Sequence, residues 1–197
     1  CADKIITLHD HVDGLINNAG IIQPFIKVNE LSYEAIERVM NVNFYGTLYM
    51  TKTFLPHLLT RPEAHIMNIS SMGGFLPVPG QSIYGASKAA VKLLTEALHS
   101  ELANTNVKVT VVFPGAVNTN ITKNSGLSAA PQAGAEQKSM KVLSAAKAAQ
   151  IMIRGMEKDS YRVMVGNDAR IMDYFSRLNP AYAAKLIYKK MKALLGE

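Results

Sequence analysis

The chain predicts an α/β fold, a doubly wound parallel sheet covered by helices on both faces in three αβα layers. Three observations carry this. Short apolar runs at residues 12–16, 64–69, 107–113 and 161–165 have the length and composition of strands buried on both faces. Longer stretches with helical spacing separate them, the pattern of parallel strands joined by crossover helices. Segments rich in Gly, Asn, Ser or Thr follow directly on strand ends, where such a sheet collects its ligands.

Taken in order, residues 2–9 read as the tail of an amphipathic helix, and residues 12–16 as a short buried strand closed by Asn17-Asn18-Ala19-Gly20. Ser32 is an N-cap for a helix beginning at Tyr33, with Glu34 suited to its first turn. Met40, Phe44, Leu48, Met50, Phe54 and Leu58 keep the helical spacing to about Leu59, and Pro56 marks a bend or the last turn. Residues 64–69 form the second strand. The helix of residues 82–103 carries Ala86, Ala89, Ala90, Val91, Leu93, Leu94, Ala97, Leu98 and Leu102, an apolar surface wider than one stripe, so more than one face is expected to be covered.

Residues 107–113, VKVTVVF, form a β-branched strand stopped by Pro114-Gly115. Residues 118–139 have no clear period and read as a loop with a short helix. Helix returns over 144–156, strand over 161–165, and helix over 169–195 with a break at Asn179-Pro180. The whole chain, 1–197, is thus one domain, with 118–143 as a substrate loop and 168–197 as a C-terminal helical extension. Asn17–Gly20, Ser70–Gly74, Pro114–Thr119 and Gly166 should converge on one rim.

Composition sets the outer limits. With 48% hydrophobic and 18% charged residues among 197, the chain has the balance of a folded globular protein. A single cysteine, Cys1, excludes an intramolecular disulfide and a cysteine metal cluster, and no metal site is expected. No apolar run approaches the ~20 residues that span a bilayer, and the expected setting is cytoplasmic. The net charge of +6 has part of its excess at Lys185, Lys189, Lys190 and Lys192. No helix-turn-helix, zinc-finger or RNA-recognition pattern accompanies it, so nucleic acid is not the expected partner.

The chemistry concentrates between Ser71 and Lys88, in SMGGFLPVPGQSIYGASK. Tyr84 and Lys88 are four residues apart and stack on one helical face. A cation beside a phenol favours the phenolate, lowering its pKa from about 10 towards working pH. Ser71 adds a hydroxyl if the strand delivers it there, and Ser70 is its rival, since a one-residue shift reverses the side of the strand. Asn43 lies between apolar Val42 and Phe44, so if buried it needs partners. His57, His65 and His99 share no motif and read as structural or solvent-facing.

Asn17-Asn18-Ala19-Gly20, Asn43, Ser71, Tyr84-x-x-x-Lys88 and Pro114-Gly115-x-Val117-x-Thr119 together resemble the short-chain dehydrogenase/reductase family, in its single-domain, Rossmann-like branch. The resemblance implies an oxidoreductase that passes a hydride between NAD or NADP and an alcohol/ketone substrate. Tyr84 would be the general acid/base, and Lys88 would lower its pKa and bond the nicotinamide ribose. Ser71, thirteen residues before the tyrosine, would polarise the substrate carbonyl. Asn43 would hold a water in a relay to Lys88. Asn18, with Ala19 and Gly20, would meet the cofactor ribose; Pro114, Gly115, Val117 and Thr119 would meet the carboxamide end. A homodimer or homotetramer would form through the two long central helices.

The family's glycine-rich phosphate-binding turn has no counterpart, since Gly14 and Gly20 are the only glycines in the first 45 residues. The expectation is that at least two N-terminal βα units are absent from this chain, leaving the 12–16 strand as an exposed edge. Met72, Met140 and Leu143 are expected to line the substrate site. Ile171, Tyr174, Phe175, Leu178, Leu186, Ile187, Met191 and Leu194 form an apolar stripe with a basic rim, expected to pack on the domain or a partner subunit; a membrane-surface contact is the less favoured reading. The alternative to an enzyme is a non-catalytic binding or assembly module of the same fold, or an inactive fragment. A scaffold has no need of Asn43, Ser71, Tyr84 and Lys88 together.

Overall fold

A computed structural model describes residues 2–127 and 142–192. Met140, Leu194 and most of the 118–139 loop lie outside the described residues. The chain runs α1 (Ala2–His9), β1 (Gly14–Asn17), α2 (Tyr33–Met40), a π-helical turn (Asn41–Tyr45), α3 (Gly46–Leu58), β2 (Ala64–Ile69), α4 (Ser82–Glu101), β3 (Val107–Pro114), β4 (Val117–Asn118), α5 (Ile121–Asn124), β5 (Leu143–Ser144), α6 (Ala145–Met156), β6 (Arg162–Val165), α7 (Asn167–Leu178) and α8 (Pro180–Met191).

Four strands pair in parallel in the order β1-β2-β3-β6, so all four carboxyl ends share one rim. The sheet is the parallel, helix-covered one expected from the sequence. β2 is buried along its whole length and β3 nearly so, the burial that continuous apolar runs require. On one face Leu15, Phe54, Leu58, Ile66, Leu98 and Val109 form a core; on the other Met67, Val112, Ala148, Val163 and Val165 form a second. β1 is an edge of this sheet, with Ile16 exposed on it.

Local chemistry explains several boundaries. Ser32 caps α2 by accepting from Ala35 N, and Ser144 caps α6 through Lys147 N. Asn179 caps α8 through Tyr182 N, with Pro180 at its first position, where the missing N–H costs nothing. The uninterrupted helix expected over 33–59 is instead broken by the π turn, in which Gly46 N–H reaches back to Asn41 O.

The wide apolar surface of α4 is covered on one side only. Val91 and Leu98 are buried, whereas Leu93 is 67% exposed. The C-terminal stripe also divides. Phe175, Ile187 and Met191 pack with Leu76 and Phe75, while Ile171, Tyr174 and Leu178 face outwards. Met72 joins that same cluster and Leu143 packs on the Val112 core. Among the described residues no helix is long and apolar enough to cross a membrane.

Candidate active site

β2 ends at Ile69 in the middle of the sheet, and the chain then turns at Ser70 and Ser71 into a short 3₁₀ turn at Met72–Gly74. Successive residues of an extended segment point to opposite sides, so the two serines part company. Ser70 is buried and its hydroxyl donates to the Lys88 carbonyl at 2.7 Å. Ser71 accepts from Gly73 N at 3.0 Å and lies on the Tyr84 side of the chain, near enough to the phenol to pull its pKa down. A Cβ on Gly73 would come within 3.2 Å of Tyr84 Cε1 and 3.5 Å of Ser71 Oγ, so the bare glycine lets ring and serine meet.

Tyr84 and Lys88 project from the first turns of α4. Lys88 is 4% exposed, and its ammonium donates to the Ile69 carbonyl at 2.8 Å. Burial pushes its pKa from 10.5 down to about 8. Burial also pushes the Tyr84 phenol up, against the opposing pull of the Ser71 hydrogen bond. The phenolate-favouring effect expected of the neighbouring cation is not what sets this pKa: desolvation penalises both charged forms, and the ammonium is held by a backbone carbonyl.

Gly20, at the end of the segment after β1, closes over this ammonium. A Cβ there would stand 3.1 Å from Lys88 Nζ and 3.5 Å from Asn43 Oδ1. Asn43 is fully buried in the π turn. Its Oδ1 accepts from Ile21 N at 2.8 Å, and its Nδ2 donates to Ile21 O and Ser87 Oγ, each at 2.9 Å. Both amide hydrogens are thus committed to protein groups, and a water relay from the side chain has only a lone pair of Oδ1 left to use.

The other site residues expected from the sequence sit on the rim. Asn18 and Ala19 are exposed beyond β1. Beyond β3, Gly115 N donates to Val165 O at 2.9 Å and Ala116 N to Asp168 Oδ2 at 2.6 Å, which fixes the turn after Pro114. Val117 pairs with Leu143 and leans on the Val112 core, and Thr119 is exposed. Ser71, Tyr84, Lys88, Gly20 and Asn43 therefore form one connected cluster. Asn18, Ala19, Pro114, Gly115, Val117 and Thr119 share its rim.

Sequence reading missed the groups that hold this cluster. Ser87 links Asn43 to the Tyr84 carbonyl, and Asp168 pins the Gly115 turn. Asn17 donates to Asn68 and Thr51, and Asn68 to Thr95, forming a buried polar chain through the sheet. Gln23 accepts from the first turn of α4. Ser87, lying inside the YGASK run, carried a local signal; the others are paired over long sequence distances. An apolar cavity of ≈ 870 Å³ adjoins the cluster, with Gly73, Phe75, Pro77, Gly85 and Ala89 among its lining; neither Ser71 nor Tyr84 lines it.

Comparison with known proteins places this geometry in a family. The chain is 36% identical over 192 residues to SadH, a protein of Mycobacterium tuberculosis named as an oxidoreductase, covering 94% of this chain and 69% of that one. It is 37% identical over 123 residues to dehydrogenase/reductase SDR family member 7B of Mus musculus, covering 62% of this chain and 38% of the mouse protein. A short chain dehydrogenase of Burkholderia cenocepacia, crystallised with NADP, superposes with a TM-score of 0.77 at 25% identity, covering 93% of this chain and 72% of that chain. One from Burkholderia phymatum, crystallised with NAD, gives 0.76 at 27% identity, covering 90% and 70%. With the short chain dehydrogenase family model matching residues 1–130 as well, the chain belongs to the short-chain dehydrogenase/reductase family of oxidoreductases.

Proposed function

We propose that this protein is an NAD(P)-dependent oxidoreductase interconverting an alcohol and a ketone, with Tyr84 as general acid/base. The observation that carries the reading is that the Tyr84 ring and the Ser71 hydroxyl meet across bare Gly73, on the helix turn that also carries buried Lys88 with its ammonium on the Ile69 carbonyl. When bound, the nicotinamide supplies or accepts the hydride. In the reducing direction Tyr84 donates its phenolic proton to the substrate oxygen, and in the oxidising direction it takes that proton back. Ser71 orients and polarises the same oxygen. Asn43 would hold the relay water through the remaining lone pair of Oδ1.

The residues present fit the nicotinamide–ribose half of the cofactor. Lys88 Nζ uses one of its donors on Ile69 O, and the absence of a Cβ on Gly20 keeps space beside it, so further N–H groups remain for ribose hydroxyls. Asn18, Ala19 and Gly20 would contact that ribose, and Pro114, Gly115, Val117 and Thr119 the carboxamide end. No glycine-rich turn for the phosphates exists in this sequence. The neighbouring apolar cavity suits a substrate with an apolar substituent. Leu93 of α4 and Tyr49 and Met50 of α3 are exposed apolar side chains on the two helices through which a second copy of the chain would pack.

The test follows NAD(P)H absorbance with a panel of ketones, using full-length protein and Tyr84→Phe. The variant is expected to lose about 10²- to 10⁴-fold in kcat. Activity that survives in the variant removes Tyr84 from the chemistry. Failure of the full-length protein to bind either cofactor turns the reading to a non-catalytic module of the same fold.

A further inference from the structure

We propose that Gln23 is a positioning residue for Tyr84: its side-chain amide clamps the first turn of α4 and thereby sets where the phenol stands. The proposal rests on the acid/base reading of Tyr84 given above.

A helix start leaves backbone N–H groups without intrahelical partners. α4 has no local side chain to meet them, since Gln81 precedes it with φ −130°, ψ 33° and makes no capping bond. Gln23, sixty residues upstream, meets them instead. Its Oε1 accepts from Ile83 N at 2.7 Å and from Tyr84 N at 3.0 Å. Gln81 returns the contact, its Nε2 donating to Gln23 O and to Gly80 O, both at 2.9 Å. Gln23 is fully buried and Gln81 is 4% exposed, so neither bond competes with bulk water.

The clamp is one end of a rigid strip. Gly20 lies against Lys88 Nζ, Asn43 holds Ile21 N and O, and Ser125 Oγ accepts from Ile22 N at 2.9 Å. Gln23 then grips the backbone of Tyr84 itself. Gly20, Ile21 and Gln23 each touch the cluster and Ile22 is pinned by Ser125, so the Lys88 end and the Tyr84 end are held at a set separation. The residue type matters too. An amide accepts two N–H bonds without bringing charge, whereas a carboxylate would accept both and place a buried negative charge on the backbone of Tyr84. Among the described residues Lys88 is the one charged group packed within this cluster. Among the described residues Gln23 Nε2 and Gln81 Oε1 are buried without a hydrogen-bond partner, while Gln23 Oε1 is spent on the helix start.

Gln23→Met keeps the length and removes the acceptor, and Gln23→Glu keeps the acceptor and adds charge. In full-length protein Gln23→Met is expected to lower kcat about 10- to 100-fold with KM for the cofactor within about twofold of wild type. Hydrogen exchange at the Ile83 and Tyr84 amides should quicken at least about tenfold. Gln23→Glu should restore the protection of both amides and recover most of kcat. It should also move the acid-side limb of the oxidation-direction pH profile upwards by about half a unit or more, because the added charge disfavours the phenolate that serves as base. Wild-type kcat in Gln23→Met, or a Gln23→Glu pH profile that superimposes on wild type, overturns the proposal. Should the wild-type protein turn over no ketone with either cofactor, the functional reading fails separately. The clamp is then judged by the two amides alone: faster exchange in Gln23→Met supports it and unchanged exchange refutes it.

Discussion

Position 115 has to be glycine because of a neighbour, not because of its own backbone. A Cβ there would sit on the carboxylate of Asp168, which also fills the space a Cβ on Gly166 would need and accepts from Ala116 N at 2.6 Å. Gly166 differs in kind, since its φ of +111° is itself unfavourable for other residues. Gly115→Ala is therefore expected to push Asp168 aside, release the Ala116 N–H and destabilise the protein by about 1–3 kcal/mol, read as a lower urea midpoint. At this scale the sequence was legible where residues cluster locally. Ser71, Tyr84 and Lys88 could be found together because strand end and helix start follow each other closely. The direction of the Tyr84 shift could not, because it depends on how much of the ring other segments cover.

The π turn between α2 and α3 is the element on which the cluster hangs. It carries Asn43 to full burial, where one amide side chain joins the segment after β1 to α4 through Ile21 and Ser87. Asn43→Ala would leave the Ile21 N–H and carbonyl buried without these partners, at a cost of about 2–4 kcal/mol. Chemical denaturation measures that loss, and an unchanged midpoint would mean that the two groups find other partners. The helical periodicity from Met40 to Leu58 announced a helix here without announcing its interruption, because a π turn keeps the backbone helical and alters only which carbonyl each N–H reaches.

Over the whole molecule, burial of Lys88 makes stability depend on pH. Its folded pKa of about 8 lies below the ordinary lysine value of 10.5, so between these pH values the unfolded chain binds more protons than the folded one. Stability should then rise with pH from about 8 towards 10, by an amount bounded at roughly 3 kcal/mol. Above about pH 10 the raised Tyr84 pKa opposes it, since the folded state keeps a proton that the unfolded state releases. Urea midpoints from pH 7 to 10 test this, and Lys88→Met should flatten the rise. A slope that persists in the variant assigns it to another group.

The sequence by itself determined the alternation of strands and helices, the parallel sheet and the rim on which the candidate site lies. Those follow from hydrophobic periodicity and turn chemistry, which act over a few residues at a time. Tertiary structure alone decided which polar groups meet: Gln23 with Ile83 and Tyr84, Asp168 with Ala116, Asn17 with Asn68. Such pairs are chosen by strand order and packing, which bring together buried donors and acceptors that no local pattern links, each of which must find a partner once water is excluded.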